Sequence, residues 1–173
     1  SRVEANRTGF PAAAMLGDGS EIIISHNTGA TPWAIWMAKK AAGSNTWTET
    51  ALPGPPGIRM LWPKIAIGGT DNMTIHVIAI TAPVGGATFG SIYEGLDGHI
   101  LYYRSTDGGA TWDKQYEKIP GLDSSRYTGF SADSYTIDAS GNTLAIGEFL
   151  SYDWNDMRIY KSTDNGGSWS DLI

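Results

Sequence analysis

Cysteine is absent from this 173-residue chain. That excludes a disulfide framework, a thiolate metal site and a cysteine nucleophile. Histidine is scarce: His26, His76 and His99 stand far apart, which makes a histidine zinc site improbable. Basic residues are fewer than acidic ones, 12 against 18, for a net charge of −6. This disfavours nucleic acid or an anionic membrane as the main partner. No apolar run reaches the length of a membrane span. No segment carries a convincing helical period. No glycine loop stands between a strand and a helix to cradle a phosphate. No cofactor is therefore expected. A leader pattern is missing too, and the first residue is not Met, so the chain is expected to have lost a leader or to be a piece of something longer.

What is abundant points to a folded all-β chain. Hydrophobic residues make up 41%, with seven Trp and eight Tyr, a composition that can fill a core. Twenty-two Gly and eight Pro supply turn signals along the whole length.

One short stretch occurs twice: Ser105-Thr106-Asp107-Gly108-Gly109-Ala110-Thr111-Trp112 and Ser162-Thr163-Asp164-Asn165-Gly166-Gly167-Ser168-Trp169. The shared pattern is S-x-D-x-G-x-x-W, preceded by Tyr103-Arg104 in one copy and Tyr160-Lys161 in the other. The chemistry is that of a pinned turn. The Asp carboxylate accepts from backbone N–H groups of its own loop, and the Ser hydroxyl assists. Gly permits positive φ. Trp opens the next strand and folds back over the hairpin. Asp107 and Asp164 are thus structural rather than catalytic. A third, eroded copy aligns Trp47 with Trp112 and Trp169, and Lys39 with Arg104 and Lys161. There Ala42 replaces the Asp and Lys40 the Ser, so this loop is expected to be less well pinned.

Each Trp closes a unit of four strand-like runs. The units cover roughly residues 10–50, 58–117 and 129–173. The first has strands over 10–15, 21–25, 33–38 and 46–50. The second has them over 63–67, 73–80, 99–104 and 111–117. The third has them over 130–137, 143–150, 157–161 and 168–172, with a turn over 138–142. The run over 73–80 is apolar throughout, as expected of a strand covered on both faces. Four antiparallel strands per unit, repeated, is the pattern of a β-propeller blade. A two-layer sandwich also has such strands but does not require one hairpin to recur.

The recurring hairpin resembles the Asp-box, or bacterial neuraminidase repeat, of sialidases, sortilin-like receptors and many secreted propellers. The structural residues of that motif here are Ser105, Asp107, Gly109, Trp112, Ser162, Asp164, Gly166 and Trp169. The resemblance implies an all-β chain of about three four-stranded antiparallel blades, forming part of a larger propeller of six to eight blades or more. It implies an extracellular, cell-surface or periplasmic location. It also implies that the box lies on the hairpin of strands three and four, away from the ligand face. Closed propellers have about four to eight blades, so three form an open arc. The expected partners are the remaining blades, or another chain covering the open faces, and beyond those a glycan or a cell-surface protein.

The ligand face of such a fold is built from loops 26–32, 81–98 and 151–156 and links 51–62 and 118–129. These carry His26, Asn27, Arg59, Trp62, Tyr93, Glu94, Asp97, Arg126, Tyr127, Tyr152, Asp153 and Trp154. Arg59, Tyr93, Arg126 and Trp154 are the candidate ligand-binding residues, since aromatic rings stack on sugar faces and arginines fix hydroxyls or carboxylates. Glycoside hydrolysis needs paired carboxylates, or a Tyr nucleophile with an acid in sialidases. Glu94 and Asp153 are the candidate catalytic residues. The sialidase pattern F/Y-R-I-P has its nearest counterpart in Thr8-Gly9-Phe10-Pro11, with Gly9 where Arg should stand. The balance favours a non-catalytic binding or scaffolding module. The alternative is a fragment of a sialidase-like glycoside hydrolase. His76 reads as a satisfied core or interface residue.

Overall fold

The computed structural model of the chain describes residues 9–27, 34–56, 58–83, 100–119, 135–149 and 157–171. Among them all regular structure is β. The strands are β1 (Gly9–Met15), β2 (Glu21–His26), β3 (Ile35–Lys40), β4 (Thr48–Ala51), β5 (Ile58–Gly68), β6 (Thr74–Pro83), β7 (Ile100–Ser105), β8 (Lys114–Lys118), β9 (Tyr135–Ser140), β10 (Thr143–Phe149), β11 (Met157–Ser162) and β12 (Ser170–Asp171). They form three antiparallel sheets, each ordered in space as in the chain: β1-β2-β3-β4, β5-β6-β7-β8 and β9-β10-β11-β12. These are three consecutive propeller blades. The first strands β1, β5 and β9 run beside one another.

Two cores hold the blades face to face. Between blades one and two lie Ile22, Ile24, Ile35 and Met37 against Ile75, Val77, Ala79, Leu101 and Tyr103. Between blades two and three lie Ile78, Ile80, Ile100 and Tyr102 against Ile137, Leu144, Ile146 and Tyr160. Successive residues of a strand point to opposite faces, so β6 feeds one core with Ile75, Val77 and Ala79 and the other with Ile78 and Ile80. This is why its sequence is apolar without alternation. Each fully buried Ile contributes about 1.5–3 kcal/mol by leaving water. The fourth strands are short and exposed; β4 reads TETA and β8 KQYEK. Charged edges of this kind oppose pairing with other chains.

The blades are also latched by polar bonds on the side where strands one and two turn. Gly17 N–H donates to Asn72 O at 2.9 Å, and Gly69 N–H donates to Gly141 O at 2.7 Å. Lys39 Nζ donates to Gly108 O at 2.7 Å, and Arg104 Nη1 donates to Asn165 O at 2.9 Å. A cation from β3 or β7 thus grips the fourth residue of the hairpin in the next blade. His76 is fully buried and joins blades two and three: its Nε2 lies 3.1 Å from Asn165 Oδ1 and its Nδ1 2.7 Å from the Tyr102 hydroxyl.

Three readings of the sequence change. The stretch 58–62, read as link, belongs to β5, because a bulge at Trp62-Pro63 bends the strand without ending it. Asp138, Ala139 and Ser140, read as turn, belong to β9: Ser140 pairs with Thr143 across a two-residue loop whose Gly141 takes φ +56°. The Trp residues of the hairpins precede the fourth strands rather than opening them, since β8 begins at Lys114 and β12 at Ser170.

Candidate functional site

The two intact hairpins carry one repeated polar network, and its geometry is that of a brace. Ser105 Oγ donates to Asp107 Oδ1 (2.8 Å) and accepts from Gly109 N–H (2.8 Å). Asp107 also accepts from Thr111 N–H (2.9 Å) and Thr111 Oγ1 (2.6 Å). The third blade repeats each bond. Ser162 Oγ donates to Asp164 Oδ1 (2.7 Å) and accepts from Gly166 N–H (2.8 Å), while Ser168 donates to Asp164 through N–H (2.8 Å) and Oγ (2.7 Å). Desolvation works against the charge of Asp107, but the bonds from Thr111 and Ser105 outweigh it and lower its pKa to about 2. Asp164 is lowered as well, chiefly by the Ser168 N–H. Carboxylates held ionised this firmly are not proton donors at neutral pH. Trp112 and Trp169 pack against the two cores, with Trp169 edge-on to Tyr102 of the preceding blade at 5.2 Å.

The first hairpin lacks this network. Ser44 N–H donates to Ala41 O at 3.0 Å and Thr46 N–H to Ser44 Oγ at 3.0 Å. Beside it opens a cavity of about 450 Å³, bounded by Met37, Lys39, Ser44, Thr46, Thr48 and Gly109.

The opposite end of the sheets is different. There the first strands of blades one and two carry the same device. Gly9 pairs with His26 and Ala12 with Ile24, so one residue is extra; Leu61 pairs with Ile80 and Lys64 with Ile78, so one is extra again. In both bulges an aromatic residue precedes Pro and takes positive φ, Phe10 at +48° and Trp62 at +49°. The Pro disfavours the right-handed α region for the residue before it, and bulges re-aim side chains beside functional sites. The two rings meet edge-on at 5.8 Å, and Phe10 stacks on the His26 imidazole at 5.8 Å. Trp62 is buried, whereas Phe10 is 57% exposed.

The backbone under this aromatic shelf is fixed from both sides. Trp62 N–H donates to His26 Nδ1 at 3.2 Å, and its carbonyl accepts from the Tyr135 hydroxyl. A backbone N–H can only donate, so His26 is neutral and carries its proton on Nε2. Burial lowers its pKa to about 4. A Cβ on Gly9 would run into the His26 ring. That is the physical reason an Arg cannot stand at Gly9 in this chain. Asn27 closes the loop after β2: its Oδ1 accepts from Ala34 N–H at 2.6 Å.

Of the sequence candidates, His26, Asn27 and Trp62 lie in or beside this shelf, and Arg59 is half-buried near the opening of β5. Tyr93, Glu94, Asp97, Arg126, Tyr127, Tyr152, Asp153 and Trp154 lie outside the described residues. Three residues were missed. Phe10 had a signal in the sequence, since an aromatic-Pro pair recurs in two first strands as Phe10-Pro11 and Trp62-Pro63, whereas Tyr135 had none. Glu148 had one, as a charge inside the apolar run of β10. It is the single buried carboxylate among the described residues, 1% exposed, with the Tyr160 hydroxyl 3.5 Å from its Oε1. The described residues contain no cluster of side chains able to hold a metal ion. Nor do they contain a helix long and apolar enough to cross a membrane.

No protein-family model matches the chain. A sialidase of Micromonospora viridifaciens is 31% identical over 122 residues, which make up 64% of this chain and 19% of the sialidase. Among solved structures, a GH93 α-L-arabinofuranosidase of Fusarium graminearum in complex with arabinobiose is 17% identical with a TM-score of 0.56. The match covers 96% of this chain and 49% of that one. A candidate glycosidase of Bacteroides thetaiotaomicron is 14% identical with a TM-score of 0.53, covering 98% and 51%. The chain therefore spans about half of each solved chain and under a fifth of the sialidase.

Proposed function

We propose that this chain is a non-catalytic carbohydrate-binding module of the extracellular or cell-surface kind, which takes a sugar ring on the exposed face of Phe10. The observation that carries the reading is the aromatic shelf. A ring that is more than half exposed, backed by the His26 imidazole and walled by Trp62, offers a flat apolar surface of the sort ligand sites combine with few polar groups. The strained bulge keeps it exposed, and the His26 and Tyr135 bonds keep the bulge in place. Arg59, Tyr93, Arg126 and Trp154 complete the site in this proposal as its polar and stacking rim. The sialidase relative and the glycosidase neighbours support a carbohydrate ligand.

The test is titration of the chain with neutral and acidic monosaccharides and oligosaccharides, followed by tryptophan fluorescence, where Trp62 is the near reporter. Saturable quenching is expected for at least one sugar class, and Phe10→Ala should weaken it at least about tenfold, a loss of roughly 1.4 kcal/mol. Absence of binding to every sugar would end the proposal.

The 31% match to a sialidase favours a second reading, a piece of a sialidase-like hydrolase. In that reading Glu94 and Asp153 are the carboxylates and Glu148 with Tyr160 a further buried pair. Release of a fluorogenic aglycone from a sialoside, lost in Glu94→Gln or Asp153→Asn, would establish it over the first.

A further inference from the structure

The cavity beside the first hairpin lies between blades one and two and takes a wall from each. Blade one supplies Lys39 and then Thr46, Thr48 and Thr50 along its fourth strand; blade two supplies Gly108 and Gly109. Alternate residues of a strand share a face, and the register puts Thr48 opposite Lys39. The three threonine hydroxyls make no bond to a described residue. Lys39 Nζ gives one of its three N–H bonds to Gly108 O and forms no ion pair among the described residues. Asp18 senses the charge of Lys39 from the turn after β1, but its Oδ1 is taken by Ser20 N–H.

The gap between blades two and three shows what the same position holds when it is filled. There Arg104 stands where Lys39 does, and the residue after the hairpin Trp is Asp113 rather than Thr48. The Asp113 carboxylate accepts from Arg104 Nε, at 2.9 Å to one oxygen and 3.2 Å to the other. Arg104 Nη1 meanwhile holds Asn165 O of the next blade. One cation therefore does two things: it latches the neighbouring hairpin and it grips a carboxylate. Between blades one and two the cation and its latch are both present, and the carboxylate is missing.

We infer that this groove binds a sugar acid, a hexuronate-type ring whose carboxylate takes the place of Asp113 against Lys39 and whose hydroxyls meet Thr46, Thr48 and Thr50. A hydrogen bond between an ammonium and a carboxylate is among the stronger ones, and the threonines both donate and accept, as ring hydroxyls do. The cavity of about 450 Å³ is of the size that small-molecule sites occupy. The groove lies on the hairpin side of the sheets, at the end away from the Phe10 shelf, so it stands independently of that site.

Titration of the isotope-labelled chain with glucuronate, glucose and acetate in turn, followed by amide chemical shifts, tests it. Glucuronate should move the amides of Thr48, Gly108 and Gly109 saturably. Glucose should leave them still, and acetate should bind at least about tenfold more weakly than glucuronate. Thr48→Asp, which builds in the carboxylate of the second gap, should weaken glucuronate at least about tenfold. Thr48→Asn, similar in size but uncharged, should cost less. Far-UV circular dichroism reports whether each variant folds. Groove amides that do not move, equal losses in the two variants, or acetate as tight as glucuronate would overturn the inference. Shifts confined to Phe10, His26 and Trp62 would overturn it too, while leaving the aromatic shelf standing.

Discussion

The first hairpin and its two later counterparts share a backbone and differ in almost everything that pins them. Gly43, Gly108 and Asn165 all take positive φ at the same place. Only the later two are followed by a Gly that a side chain of the preceding blade presses against, and only those carry the Ser–Asp network. The difference separates two jobs. The turn itself needs one residue in the left-handed region. The second Gly serves the fit between neighbouring blades, and the carboxylate braces the hairpin that carries it.

Acid should disturb that fit most. His26 and His76 each bridge two blades, and burial lowers both to about pH 4, against the pull of the Asn165 bond for His76. Above about pH 6.5 both states are neutral and nothing is lost. Between 6.5 and 4 the unfolded chain takes up protons that the folded one refuses, so stability falls with pH and levels off below 4. Each histidine accounts for on the order of 3 kcal/mol. Urea melts at pH 7 and pH 4.5 should show the drop, and His76→Gln should remove part of it.

Next come the glycines. Gly166→Ala drives a Cβ into the Tyr102 ring at φ +77° and should cost about 3 kcal/mol in denaturant melts. Gly9→Ala meets His26 in the same way at the other end of the sheets. Gly43→Ala has only its backbone to strain, and about 1 kcal/mol is expected. Equal losses at Gly43 and Gly166 would contradict the separation of jobs drawn above. Smaller still, Asp107→Ala should lower the melting temperature by about 3 °C, since an exposed carboxylate contributes little beyond its bonds. Ala42→Asp, which restores the missing carboxylate, should raise it by about 1 °C.

These contrasts bear on what could be read from residues alone. The blades were legible because Ser105, Asp107, Gly109 and Trp112 recur as Ser162, Asp164, Gly166 and Trp169 at one spacing. Turn chemistry is local, and local chemistry survives in sequence. The double burial of β6 was legible for the same reason. The shelf was only half legible. His26 and Trp62 stood out, but their union did not, because 36 residues separate the imidazole from the amide it accepts. Gly9 looked like a lost Arg; it is the space that the His26 ring requires. The extension of β5 through Arg59 and Trp62 was hidden by Pro63, whose strand-breaking habit a bulge absorbs.

The backbone of Trp62 is tied to one sheet through its N–H and to another through its carbonyl. Its amide N–H therefore acts as a gauge for the whole inner wall. Its deuterium uptake should be among the slowest in the chain at neutral pH. Once the imidazole beside it takes on a charge, that uptake should quicken before the hairpins at the far rim begin to fray, making the loosening of the arc directional, from the centre outward.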